Sequence, residues 1–284
     1  MSQLPEGAAD FYDALAPLFD VMTDWDARLA GEGPFLRAML EEAGARRVLD
    51  AACGSGGHAL ALARWNYQAL GIDVSAGMIA LARAKAAAAG LDVPFLVAGL
   101  AELPEKIPQG GTLPGATGAL AGPFDAVLCL GNSLPHLLSQ EELVAALRSM
   151  AAVLRPGGLL ITQNLNYDLR WRAQPRFFAA QGGVYNGQEV LVWRFADYDR
   201  GEGRIGFNIA LFSKGANGWG VQVHTTPQRP LFAADLIAGL QEAGFSSIRS
   251  FAGMALPLAS FEAGSSPDLV IVAVNSPAAV RAEP

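Results

Sequence analysis

From Arg46 to Leu165 short apolar runs alternate with longer amphipathic stretches, and this alternation restricts the fold more than any other feature of the chain. The apolar runs are RRVLDAA, YQALGID, VPFLVAG, FDAVLCLG and LLITQNL. Between them lie GGHALALARW, SAGMIALARAKAAAAG and QEELVAALRSMAAVLRPGG. Strand–helix alternation of this kind predicts a parallel sheet with helices on both faces, and continuous apolar runs such as VLCL suit strands buried on both sides.

The flanking segments read differently. Residues 1–46 are helical in pattern, with Phe11, Leu15, Leu18, Phe19 and Met22 at three- and four-residue spacing before Gly44 stops a second helix. Residues 189–199, 204–214 and 218–226 alternate apolar and polar, with GEG and GANG between them, which predicts an antiparallel meander of three strands. A helix at 231–244 precedes the late apolar run DLVIVAV, which is read as a final antiparallel strand. The expectation is one α/β domain: a helical cap (1–46), a doubly wound, mostly parallel core (47–170 and 231–284) and an antiparallel insert (171–230) on the substrate side. The Gly/Pro-rich stretch 104–123 has no periodicity and is read as a long loop, disordered rather than functional. The tail SPAAVRAEP reads as frayed.

Composition narrows the function classes. With 20 basic against 27 acidic residues the net charge is −7, and no Lys/Arg run offsets it, so nucleic acid and anionic membrane are disfavoured as partners. Two cysteines make neither a disulfide framework nor a metal site. No apolar stretch reaches the roughly 18 residues of a membrane span, and the first residues lack a signal peptide's basic and apolar regions. A cytoplasmic protein acting on a small molecule is expected, and a homo-oligomer is compatible with this.

The segment Val48-Leu49-Asp50-Ala51-Ala52-Cys53-Gly54-Ser55-Gly56-Gly57-His58 lies where the first strand turns into the next helix. Gly54 and Gly56 permit a tight turn and close ligand approach, and the helix start offers free N–H groups. Asp73 ends the second strand, where a carboxylate can accept both hydroxyls of a ribose. Two cofactors satisfy this pattern, because Gly54-x-Gly56-x-x-Ala59 is also a dinucleotide fingerprint. Charge separates them. Asp50 repels a pyrophosphate but attracts the sulfonium and ammonium of S-adenosylmethionine (SAM), and a unit-charge contact at about 4 Å is worth on the order of 4 kcal/mol before desolvation. A nicotinamide-dependent oxidoreductase and a non-catalytic SAM-binding protein remain as alternatives.

VLDAACGSG, the acid of GID, FDAVLCLGNS, LRPGG and the closing LVIVAV resemble, in order and over most of the chain, the class I SAM-dependent methyltransferases. The resemblance implies a seven-stranded sheet with its last strand antiparallel, and SAM, leaving as S-adenosylhomocysteine, across the carboxyl ends of the strands. CLGNSLPHL and Asn166-Tyr167-Asp168 are similar to segments of the glycine and sarcosine N-methyltransferases, as is Asp24-x-x-x-Arg28. On that likeness Arg28, Ala52, Asp73, Leu130 and His136 are cofactor contacts, and the glycine loop and strand ends add Asp50, Gly54, Gly56, Val74, Gly99 and Leu100. Asn132 and His136 face the transferring methyl, and Asn132, Asn166, Tyr167 and Tyr185 face the substrate; no metal is implied. His136 is read either as a brace of its loop or as a general base with a limb near pH 6–7. Tyr12, Trp25 and Tyr185 are core residues or aromatics closing over the site, and His224 and Arg229 are read as surface.

The sequence departs from that subgroup at three places. Leu165 stands where an arginine grips the amino-acid carboxylate, Thr225-Thr226-Pro227 stands where aromatics are expected, and Gly99 replaces the residue that holds the adenine amino group. Methyl transfer to nitrogen or oxygen of a small molecule other than glycine is therefore expected.

Overall fold

The computed structural model describes residues 7–107 and 122–276. In chain order α1 (Ala8–Leu15) and α2 (Trp25–Glu42) form the cap, joined by a 3-10 turn over Ala16–Val21 where Pro17 removes a helix donor. Asp24 caps α2 by accepting the Ala27 amide. Then follow β1 (Arg47–Ala51), α3 (Gly57–Arg64), β2 (Gln68–Asp73), α4 (Ala76–Ala88), β3 (Phe95–Val97) and α5 (Leu103–Lys106). After them come β4 (Phe124–Cys129), α6 (Gln140–Val153), β5 (Leu154–Leu165) and α7 (Tyr167–Ala173). A second sheet contains β6 (Gln181–Tyr185), β7 (Gln188–Asp199), β8 (Arg204–Gly215) and β9 (Gly218–Gln228), and the chain ends its described part with α8 (Ala233–Glu242), β10 (Phe245–Phe251) and β11 (Asp268–Asn275).

The main sheet has seven strands in the order β10-β11-β5-β4-β1-β2-β3, and β11 runs antiparallel to both of its neighbours. Alternation along β1 shows how the layers form. Leu49 and Ala51 pack with α6 and α8 on one face, while Val48 packs with α2, α3 and α4 on the other. The helix that follows β1 begins at Gly57, whose missing side chain lets Trp25 of α2 pack against it; a Cβ there would stand 2.3 Å from the indole. A third cluster joins Phe11, Leu15 and Met22 of the cap to Val192, Ile209 and Leu211 of the second sheet and Met78 of α4. The cap therefore sits between the insert and the core.

The meander has four strands rather than three. β6 pairs antiparallel with β7 although QGGVY shows no apolar alternation; its backbone ladder and the packing of Val21 over Gly183 hold it. The start of the 104–123 stretch belongs to α5; the remainder of that reading, at 108–121, and the tail at 277–284 lie outside the described residues.

Candidate functional site

A cavity of about 730 Å³ opens between the carboxyl ends of β1, β2, β4 and β5 below and the cap and insert above. The loop after β1 forms one wall. Ala52, Gly54 and Gly56 have φ of 64°, 53° and 80°, so three of its residues adopt the left-handed region that lets the chain fold back on itself. Asp73 ties this loop to the one after β2: its two carboxylate oxygens accept the Gly54 amide at 2.8 Å and the Ser75 amide at 2.9 Å. Burial raises its pKa. Asp50 lies beneath the loop, 1% exposed, with one carboxylate oxygen unpartnered. Burial pushes its pKa up to about 6.

Across the cavity, the first turns of α2 present Arg28. Its Nε donates to Glu32 at 3.0 Å, and Glu32 also meets His58 Nε2 at 2.7 Å, so the carboxylate is anchored from α3. Ser133 Oγ donates to the Leu130 carbonyl at 2.9 Å, which fixes the loop after β4.

The deeper part of the cavity is crossed by one chain of hydrogen bonds. Asn132 Nδ2 donates to the Tyr167 hydroxyl at 3.0 Å, and that hydroxyl donates to Gln228 Oε1 at 3.2 Å. The amide nitrogen of Gln228 then faces His136 Nε2 at 3.2 Å, and the Tyr12 hydroxyl stands 3.0 Å from the same nitrogen. With Gln228 donating, His136 Nε2 is the acceptor and Nδ1 carries the proton, buried without a partner. Burial lowers the His136 pKa to about 4, raises that of Tyr167 to about 12 and raises that of Tyr12 further. All five groups are neutral at pH 7.

Most residues expected at the site do line it: Arg28, Ala52, Gly54, Asp73, Val74, Gly99, Leu100, Leu130, Asn132, His136 and Tyr167. Four do not. Asp50 and Gly56 support the loop from behind, where Gly56 packs against Ala82 and Phe95. Asn166 is the N-cap of α7, accepting the Leu169 amide and donating to the Ala263 and Ser266 carbonyls, so it faces its own chain and not a substrate. Tyr185 lies on the edge strand β6, away from the cavity wall. Asn132 is present but engaged, since its Oδ1 accepts the Leu165 amide at 3.0 Å and its Nδ2 holds Tyr167. The Gly99 amide is likewise taken, by Glu102 at 2.7 Å. Tyr12 and Trp25 line the cavity, and Tyr12 also packs against the third apolar cluster.

Residues 48–158 match the family model described as a methyltransferase domain. The glycine/sarcosine N-methyltransferase of Parasynechococcus marenigrum is 30% identical over 243 residues, spanning 85% of this chain and 78% of that protein. The chain belongs to the class I SAM-dependent methyltransferases. Its likeness is to the glycine/sarcosine subgroup, whose Aphanothece halophytica member is 31% identical over 56% of each chain. A SAM-dependent methyltransferase from Clostridium acetobutylicum has the same fold, with a TM-score of 0.70 at 15% identity over 94% of this chain and 98% of that one.

The methyltransferase has cavity-lining residues that its sequence did not announce. Gln228 is separated by 92 residues from its partner His136, and only the return of β9 over the core brings the two together. Arg194 was legible in principle. In EVLVWRFADYD it occupies an inward position of the alternation, between Val192 and Ala196, where a charge is out of place.

Proposed function

We propose that this methyltransferase methylates a nitrogen of a small molecule, and that glycine is not its acceptor. The neutral chain Asn132–Tyr167–Gln228–His136–Tyr12 carries the proposal. When bound, SAM supplies an electrophilic methyl group on a sulfonium sulfur and leaves as S-adenosylhomocysteine. The residues fit it: two buried acids, Asp50 and Asp73, lie at the loop where its positive groups would rest, and Arg28 offers a cation for its carboxylate. In this reading Asp73 holds the ribose hydroxyls and the Leu130 carbonyl the ammonium.

A neutral amine needs orientation rather than a base, because aligned reactants supply most of the acceleration. The hydroxyl oxygens of Tyr12 and Tyr167, both kept protonated by burial, can accept N–H bonds and aim the lone pair. His136 holds Tyr12 and Gln228 in place; with a pKa of about 4 it is a weak base for an oxygen nucleophile at neutral pH. Asn132 positions Tyr167. An oxygen acceptor is the second reading, favoured only by the presence of an imidazole in the network. Glycine is disfavoured because Leu165, half-buried on the cavity wall, offers its carboxylate no donor.

The test is S-adenosylhomocysteine release with glycine, sarcosine, larger amines and phenols. Amines are expected to turn over, Tyr12→Phe to lower kcat by about 10–100-fold with SAM affinity intact, and glycine to be inert. Turnover of phenols alone, or glycine methylation at a millimolar KM, refutes the assignment.

A further inference from the structure

We propose that the far wall of the cavity is an anion subsite, in which Arg194 and Arg170 hold a carboxylate or phosphate that the methyl acceptor carries away from its nucleophilic atom. The inference rests on the methyltransferase reading of the cavity and adds a chemical class to its acceptor.

Three described arginines line the cavity, Arg28, Arg170 and Arg194, and of these Arg28 alone meets a carboxylate in a contact ion pair. Arg28, Arg148, Arg155, Arg176 and Arg249 each meet a carboxylate. Arg194 and Arg170 form no ion pair among the described residues, and both face the same cavity. Arg194 projects from the inner face of β7, in register with Ile209 of β8 and between Val192 and Ala196. Its one polar side-chain contact is long, 3.4 Å from Nη2 to Gln181 Oε1. Burial weakens its basicity, with no neighbouring acid to restore it. Its guanidinium lies 5.8 Å from the Phe178 ring centroid, and that of Arg170 lies 4.9 Å from the same centroid. Arg170 also hydrogen-bonds Tyr198.

The nearby acids leave Arg194 unanswered and reach Arg170 only at a distance. Asp168, on the same helix as Arg170, accepts the Ala233 amide at 3.0 Å. Asp268, which lines the cavity, forms no contact ion pair with either arginine among the described residues, although the Arg170 charge helps hold its carboxyl down. A half-buried cation with no counter-charge, as Arg194 is, is costly, and a site that sets it beside a second guanidinium without a contact ion pair against one aromatic ring is suited to an incoming anion. The apolar neighbours Ile205, Phe207 and Ile209 suit a hydrocarbon or aromatic body beside it.

Position separates this subsite from the glycine mode. Leu165 is hydrogen-bonded through its amide to Asn132, next to the Tyr167 hydroxyl. Arg170 lies about one helical turn beyond Tyr167, roughly 4.5 Å farther along α7, and Arg194 is on the opposite sheet. An anion held there is several bonds from the reacting nitrogen. Glycine is too short to reach it.

Calorimetric titration of phenylacetate, phenyl phosphate and phenylacetamide tests the subsite, with and without saturating S-adenosylhomocysteine. At least one of the two anions is expected to bind ten-fold or more tighter than the amide, and which one does distinguishes carboxylate from phosphate. Arg194→Met should bring that anion to the amide's affinity, Arg170→Met should weaken it several-fold, and Arg194→Lys should retain part of it. Arg194→Met should also melt at or above the wild-type temperature without ligand and gain nothing from the anion. Equal affinity for all three probes, no binding of either anion, or full anion affinity in Arg194→Met with Arg170→Met overturns the subsite. Binding of S-adenosylhomocysteine is read in the same cell, so its absence would count against the methyltransferase reading while the ligand-free titration still decides the anion site.

Discussion

His136 and Asp50 are buried titratable groups whose shifts have opposite consequences for acid stability. The His136 pKa falls from 6.5 to about 4 on folding, so between those values the unfolded chain binds a proton that the native protein does not. Stability is complete above pH 6.5 and is lost toward pH 4, by about 1.4 kcal/mol per pH unit at most. His136→Gln should remove that part of the acid sensitivity, measured by denaturant unfolding at pH 4.5 and 7.5. It should not remove a kinetic limb near pH 6–7, because His136 titrates near pH 4. Asp50 runs the other way. Its pKa rises from 3.8 to about 6, so its contribution is present below 3.8 and lost as pH climbs through 6. Asp50→Asn should therefore stabilise the ligand-free protein at pH 7 by up to about 3 kcal/mol and change little at pH 3.5. It should also weaken SAM by several-fold, because a charge attracting the sulfonium and ammonium is gone. In the wild-type protein the cation should drive the proton off, so SAM affinity should tighten between pH 5 and 7. A pH-independent calorimetric affinity, equal in wild type and Asp50→Asn, would contradict this.

Under the proposed function the end of β5 and the start of α7 bear on acceptor choice, and the neighbouring strand limits what a single change there can do. Leu165 is in register with Asp268 across the antiparallel pair, and both line the cavity. An arginine introduced at 165 would meet that carboxylate before it met a ligand. Leu165→Arg alone should thus give little glycine methylation, and Leu165→Arg with Asp268→Asn should give about 10²-fold more, read as S-adenosylhomocysteine release. Equal glycine activity in the single and double variants would show that Asp268 does not capture the new guanidinium. The same elements show what the sequence disclosed. Runs such as VLCL and LLIT announced the parallel strands because burial on both faces selects apolar residues without interruption. The loop after β1 was legible because only small or flexible residues tolerate its left-handed turns. QGGVY concealed β6, since an edge strand held by its backbone and by Val21 from outside it needs no side-chain pattern of its own. The Asn166-Tyr167-Asp168 motif was found but its roles were not: Tyr167 faces the cavity, whereas Asn166 caps α7 and Asp168 holds α8. Partners such as Tyr12 and His136, 124 residues apart, leave no local trace of each other.

Three layers meet at the cavity: the main sheet below, the second sheet above and the cap wedged between them. Phe11 and Leu15 of α1 are fully buried against Val192, Ile209 and Met78, so the cap joins the insert to α4 of the core. A ligand that spans the β1 and β2 loops and Arg28 touches core and cap together, and its binding energy opposes unfolding of both. By linkage, SAM at about 100 times its Kd should add roughly 2.7 kcal/mol, which corresponds to a rise in Tm of about 5–10 °C for a chain of this size. NAD at the same concentration should produce no shift, because Asp50 behind the loop repels its pyrophosphate. Phe11→Ala separates the layers without touching the loop. It should cost about 3–5 kcal/mol of stability and displace Tyr12 from His136, so that turnover falls further than SAM affinity does. Calorimetric scanning of both proteins with SAM and with NAD reads the stability outcomes, and S-adenosylhomocysteine release reads turnover. A SAM-induced shift that is retained in Phe11→Ala, with turnover reduced, is the expected result. A variant whose turnover and SAM affinity fall by the same factor would mean that α1 serves the cofactor alone.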